Sequence, residues 1–227
     1  MTVSPPPLLL IDFDGTITCR DSEVYVAQQI LDESGQLRLA DLVEEYEHLE
    51  ITLEKYYERY FSLMDLPENH WHDLAEKVPI REDFSHFISR CSEKKVEMKI
   101  LSEGLDLFIE PLLHRMAVRD LPYSCNRIVW EGNRPTLLPA VDAVACERCL
   151  NCKGAHARRF RSQGRKVGLI GNGASDLCAA REVDVVFARD HLARLCRKER
   201  IPFYPWDHFR DIDLDLLISS LDSSFVE

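Results

Sequence analysis

Apolar positions follow two different periods along this chain. Leu8-Leu9-Leu10-Ile11 is an unbroken aliphatic run carried on to Phe13 across Asp12 and closed by an acid and a glycine. That pattern predicts a buried parallel strand ending in a loop. From Glu23 to Val78 the spacing turns helical: Leu42, Val43, Tyr46 and Leu49 form one stripe, and Tyr56, Tyr57, Tyr60, Phe61 and Met64 another. Pro67 and Pro79 punctuate this segment, which contains no strand pattern. Phe84, Phe87, Ile88 and Cys91 make a further helical stripe leading into a strand-like run over 96–101, which stops at Ser102-Glu103-Gly104. Leu105, Phe108, Ile109 and Leu112 predict the next helix.

Residues 125–138, with Glu131-Gly132-Asn133 in the middle, read as a β-hairpin. A cysteine-rich loop follows, then a basic helix over 155–161. Val167-Gly168-Leu169-Ile170 is a third buried strand running into Gly171-Asn172-Gly173, with a helix beginning near Ser175. Residues 185–188 predict a fourth strand and 191–200 a helix behind it. Strands alternating with helices imply an α/β fold: a Rossmann-like three-layer parallel sheet formed by 1–20 and 81–227, with an α-helical unit inserted at 21–80. The length of 227 residues suits a main domain plus such an insert.

Composition narrows the class. With 45% hydrophobic and 30% charged residues, 9 Gly and 11 Pro, the chain is neither fibrous nor largely disordered. No apolar run approaches the length of a membrane span, and no basic region precedes the first one, so the reading is a cytoplasmic protein without membrane contact. The net charge of -11 argues against nucleic acid as a partner. Its distribution is uneven: 15 acids against 3 bases over 21–76, and 12 bases against 5 acids over 152–200. Two differently built regions follow. Of the eight cysteines, Cys146, Cys149 and Cys152 crowd together, which points to metal or redox chemistry over a disulfide framework.

The strongest chemical signal is Asp12-Phe13-Asp14-Gly15-Thr16-Ile17-Thr18 at the end of the first strand. Acids at spacing two project from one side of an extended chain, and their mutual repulsion is usually offset by a cation. This segment resembles the first motif of the haloacid dehalogenase superfamily, aspartate-nucleophile enzymes that are mostly magnesium-dependent phosphatases. The family's further motifs match in order: Ser102 at the end of the second strand, Lys153 as the basic residue, and Gly171-Asn172-Gly173-Ala174-Ser175-Asp176 as the acidic loop.

The resemblance implies roles. Asp12 attacks phosphorus to give an aspartyl phosphate, and Asp14 protonates the leaving alkoxide and later deprotonates the hydrolytic water. Ser102, the Gly104 amide and Lys153 hold phosphate oxygens, and Asp176 orients Lys153 or a metal-bound water. Magnesium is held by Asp12, the Asp14 main-chain carbonyl and Asn172. The family usually carries Asp where Asn172 stands, and an amide oxygen is the weaker ligand. Ser102 can also serve as N-cap for the helix that follows.

A helical cap at the position of 21–80 is the mark of the phosphoserine phosphatase branch, with Asp21 and Arg59 matching its cap-side substrate positions. Ser102 to Leu113, Cys152-Lys153 and Phe187-Ala188-Arg189-Asp190 look like the methionine-salvage group acting on a hydroxy-keto-methylthiopentenyl phosphate, and similar features occur in relatives acting on phosphocholine and phosphoethanolamine. The implied activity is hydrolysis of a small phosphorylated metabolite. The competing reading is a catalytically weakened metal-binding or redox-sensing protein on a phosphatase scaffold. The overlapping Cys-x-x-Cys steps at Cys146, Cys149 and Cys152 are compatible with structural zinc, for which Cys125 or His156 is the candidate fourth ligand, or with a reduced loop packing as small apolar residues. Oligomeric state is not legible.

Overall fold

In the computed structural model, residues 5–219 are described, except 49, 133, 145, 147 and 148. Leu49 of the first cap stripe and Asn133 of the hairpin turn therefore lie outside the described residues. The chain runs β1 (Leu8–Ile11), α1 (Ser22–Ile30), α2 (Glu33–Glu47), α3 (Leu53–Met64), α4 (Glu68–Ala75), α5 (Phe84–Glu93), β2 (Glu97–Leu105), α6 (Asp106–Arg115), β3 (Tyr123–Glu131) and β4 (Arg134–Leu138). It continues through α7 (Lys153–Ser162), β5 (Val167–Gly171), α8 (Leu177–Ala180), β6 (Val185–Ala188), α9 (Asp190–Glu199), β7 (Tyr204–Pro205) and α10 (Asp215–Ser219).

The seven described strands form one sheet in the order β4-β3-β2-β1-β5-β6-β7, parallel except for β4, which pairs antiparallel with β3. The aliphatic run of β1 occupies the centre, and both its faces are covered, as period-two alternation requires. Leu9 and Ile11 belong to one core with Phe84, Phe87, Phe108 and Phe209, whereas Leu8 and Leu10 belong to a second with Ala157, Ala179 and Leu192. Helices therefore back the sheet on both sides.

Register fixes the site. Ile11 pairs with Ile100 on β2 and with Ile170 on β5, so the residues that follow these three leave the sheet at one level. Open α/β sheets place ligands in that crevice at the carboxyl ends of their strands.

Of the five described helices between β1 and β2, the first four begin on Asp21, Asp32, Thr52 and Pro67, and the first three of these residues accept a backbone N–H through their side chains. The stripe Tyr56, Tyr57, Tyr60, Phe61 and Met64 is buried and meets Trp71 edge-on, Phe61 and Trp71 ring centroids lying 4.8 Å apart. Phe61 also reaches Trp130 of β3 at 5.7 Å, which ties the helical unit to the hairpin. No described helix is long and apolar enough to cross a membrane.

Two expectations need correction. β2 does not stop at Ser102 but runs through Ser102-Glu103-Gly104 to Leu105, with a register irregularity against β3 between Leu101 and Leu105. Consequently Leu105 is the N-terminal cap of α6, with no side-chain bond, and Ser102 caps nothing.

Candidate active site

Immediately past Ile11 the chain turns back on itself: Thr16, Ile17 and Thr18 all donate their amides to the Phe13 carbonyl, and Gly15 N donates to Thr18 Oγ1 at 2.9 Å. Gly15 sits at φ +71°, and a Cβ there would lie 2.4 Å from the Asn172 amide, so both the backbone and the space demand glycine. Tight turning presents Asp12 and Asp14 to the crevice together.

Lys153, the first residue of α7, is buried to 2% exposure and reaches Asp12 Oδ1 in a short contact, Asp176 Oδ1 at 2.6 Å and Ser175 Oγ at 3.4 Å. Burial alone would lower its pKa, but the Asp12 and Asp176 carboxylates outweigh that and hold the ammonium above its ordinary value. Asp176, wholly buried, turns its other oxygen to the amides of Asn172 and Gly173, both at 3.0 Å. It thus joins the lysine to the loop after β5. Burial and the nearby Asp176 charge push the Asp12 carboxyl up, against the pull of Lys153.

The second oxygen of Asp12 accepts from Thr16 Oγ1 at 3.2 Å. Hydrogen bonding assigns the Asn172 amide nitrogen toward Thr16 Oγ1 at 2.9 Å, the Asp14 carbonyl at 3.0 Å and Asp12 Oδ2 at 2.9 Å. A carboxylate oxygen and a main-chain carbonyl thus converge on one donor.

Asp14 Oδ1 accepts from Ser22 N at 2.9 Å, at the start of α1, and Asp21 accepts from Val24 N as that helix's cap. Burial, and after it the charge of Asp21, pushes the Asp14 carboxyl up to about 7. A Cβ on Gly104 would lie 2.8 Å from Asp14 Oδ2 and 3.1 Å from Ser102 Oγ, so the end of β2 lies directly against Asp14. Ser102 Oγ accepts from Gly104 N at 2.9 Å. The structure therefore brings Asp12, Asp14, Ser102, Gly104, Lys153, Asn172 and Asp176 into one crevice, with Asp21 at its edge.

It places three residues elsewhere. Arg59 is bound in a two-point ion pair to Glu45 along a surface groove with Arg38 and Asp41, because the buried side of α3 is taken by its tyrosines. Cys125 and His156 do not join the cysteine group, which among the described residues consists of Cys146, Cys149 and Cys152 alone. Cys125 is buried on β3, and His156 points its Nε2 at Asn151 Oδ1, 2.7 Å away, inside the core.

Sequence reasoning missed the supports. Asn151 donates to the Ser102 carbonyl at 3.2 Å and Asn126 to the Glu103 carbonyl at 2.7 Å, two buried amides that brace the end of β2. Glu23, buried beside Asp14 in the helical unit, accepts from Tyr56 at 3.0 Å and Tyr57 at 2.5 Å, while Tyr60 donates to its carbonyl. Single asparagines and a glutamate on an acidic helix carry no periodic signal.

Residues 7–195 match the family model described as Putative Phosphatase. The chain belongs to this phosphatase family. A relative from Brevibacillus brevis, a 2-hydroxy-3-keto-5-methylthiopentenyl-1-phosphate phosphatase, is 29% identical over 211 residues, covering 90% of this chain and 92% of its own. Among solved structures, a phospho-aspartyl intermediate analogue of phosphoserine phosphatase superposes with a TM-score of 0.67 at 16% identity, over 95% of this chain and 98% of the other. A substrate-bound phosphoserine phosphatase complex gives 0.69 at 15%, over 92% and 98%. The fold is that of haloacid dehalogenase-type phosphatases, and the enzyme hydrolyses phosphate esters.

Proposed function

We propose that this phosphatase cleaves a small phosphorylated metabolite through an aspartyl phosphate on Asp12, with residues 21–80 as a cap over the crevice. The observation that carries the reading is the placement of Asp12 between a buried lysine ammonium and the turn that presents Asp14. Lys153 opposes the burial that pushes the Asp12 carboxyl up, and it is aimed where negative charge gathers on a transferring phosphoryl group. Asp14, with its pKa raised toward neutrality, is suited to give a proton to the leaving oxygen and to take one from water afterwards. Ser102 and the Gly104 amide offer donors for a phosphate oxygen once their mutual bond opens.

The donor set around Asn172 fits a magnesium ion: a carboxylate oxygen of Asp12, the Asp14 carbonyl and the side-chain amide oxygen of Asn172 are all hard ligands. The two acceptors that a cation would hold are met here by the Asn172 N–H groups. Such an ion supplies charge neutralisation for the phosphate next to an anionic nucleophile. Eight cysteines held without disulfides accord with a cytoplasmic setting.

The substrate class follows the relatives: a 1-phosphate of a small keto-enol carrying a methylthio chain. A panel comparing that enol phosphate with phosphoserine, phosphocholine and phosphoethanolamine, with and without magnesium, tests the reading. The expected result is highest kcat/KM on the enol phosphate and loss of turnover on chelation. Preference for an amine-bearing ester would refute the substrate assignment, and absence of turnover on every ester would support the weakened-scaffold alternative.

A further inference from the structure

The loop between β4 and α7 gathers Cys146, Cys149 and Cys152 so that their Sγ atoms all lie within 4.8 Å of one another. Zinc with sulfur ligands at about 2.3 Å sets tetrahedral sulfurs about 3.8 Å apart, so a shared ion asks the thiols to close by at most about 1 Å. Two backbone hydrogen bonds tie the described residues of this loop together. Cys146 N donates to the Cys149 carbonyl at 3.0 Å, and Cys152 N donates to the Val144 carbonyl at 2.8 Å. Both Cys149 and Cys152 hydrogen-bond to the Cys146 thiol.

An independent observation comes from the neighbouring strand. Glu103 hydrogen-bonds to Cys149, and its Oε1 is shielded from solvent without any hydrogen-bond partner. A buried carboxylate oxygen left unmet is costly, and a cation beside it removes the cost. His156 is bonded to Asn151, and although Glu103 lies outside the mutually close group just as Cys125 does, Glu103 is the residue that contacts one of its members, Cys149.

We propose that Cys146, Cys149, Cys152 and the carboxylate of Glu103 form a structural zinc site. Four protein ligands leave no open position, so the ion does no chemistry on substrate. Its place in the fold gives it a positioning role. Glu103 stands between Ser102 and Gly104 at the end of β2, and Cys152 is the cap of α7 immediately before Lys153. One ion would therefore tie the strand end that faces Asp14 to the helix start that carries the buried ammonium. The site is independent of which phosphate ester the enzyme takes.

The test uses the full chain, purified reduced without chelator, loaded with zinc and dialysed. Metal analysis should find about one equivalent of zinc. Cobalt(II) in its place should show a thiolate-to-metal absorption band with the strong visible bands of tetrahedral geometry. Cys149→Ser and Glu103→Gln should each weaken zinc binding by at least about tenfold in a chelator competition, whereas Cys19→Ser, an exposed thiol elsewhere, should leave it unchanged. Less than about a tenth of an equivalent in the wild type, or a cobalt spectrum without thiolate absorption, would overturn the site whatever the variants do. Unchanged affinity in Glu103→Gln would overturn the fourth ligand.

Discussion

Replacing Asp176 by Asn tests the buried charge cluster with almost no change in shape. Asp176 Oδ1 accepts from Lys153 at 2.6 Å, and Oδ2 accepts from the Asn172 and Gly173 amides, so all its bonds are acceptances. No orientation of an amide serves all three donors. With its oxygen toward the two backbone amides, its NH2 faces an ammonium; with its oxygen toward Lys153, its NH2 faces two N–H groups. The residue cannot move aside, because Gly171 is so close that even a Cβ there would lie 2.4 Å from Asp176 Oδ2. Removing one partner of a buried ion pair costs about 3–5 kcal/mol, and because Lys153 keeps Asp12 the lower end applies, about 3 kcal/mol. For a chain of this size that corresponds to a fall in Tm of about 6–12 °C. Thermal and urea unfolding of Asp176→Asn against wild type at pH 7 measures it. A loss below about 1 kcal/mol would refute the argument that this carboxylate organises the cluster.

Burial lowers the pKa of His156 to about 4, so it is neutral in the fold and takes up a proton on unfolding below its ordinary value of 6.5. Its contribution is fully present above pH 6.5 and is lost as pH falls toward 4, by about 3 kcal/mol, and His156→Gln should remove this part of the slope in urea titrations at several pH values. Asp14→Asn should lower kcat by at least about a hundredfold in steady-state assays while the fold is kept, because it removes the proton donor and acceptor. Asn172→Asp sets a carboxylate oxygen where an N–H now meets Asp12 and the Asp14 carbonyl. Its metal-free form should melt below wild type, with magnesium restoring the Tm, and half-maximal turnover should need about tenfold less magnesium.

The central strands and the crevice residues were legible because their signals are local. Four aliphatics closed by acids at spacing two place Asp12 and Asp14, and Gly171-Asn172-Gly173 after an aliphatic run places the opposite loop. The reading of β2 failed at its end, because Ser102, Glu103 and Gly104 have none of the side chains that mark a strand, yet pairing with β3 at Leu101 and again at Leu105 brackets them. Arg59 was misplaced since helical periodicity gives the buried side of α3 but not which polar residue faces the crevice. That segment's carboxylate beside the site is Glu23, held by tyrosines more than thirty residues away. The cysteine loop shows the same limit: spacing brings three thiols together, but Glu103 comes from a different strand and no spacing rule connects it to them. Residues 204–219 carry too few periodic positions to be read, and Trp206, Phe209 and Leu217 gain their burial only from the finished core.

Covalent trapping at Asp12 tests the mechanism most directly. An aspartyl phosphate is an acyl phosphate, which borohydride reduces to homoserine, whereas a free carboxylate is untouched. The enzyme is mixed with its best ester and magnesium, quenched during turnover with borohydride and digested for mass spectrometry. The account predicts homoserine at residue 12 that appears only with substrate, with no turnover and no product in Asp12→Asn. Turnover persisting in Asp12→Asn, or wild-type turnover with Asp12 unmodified under conditions that trap a control acyl phosphate, would contradict it.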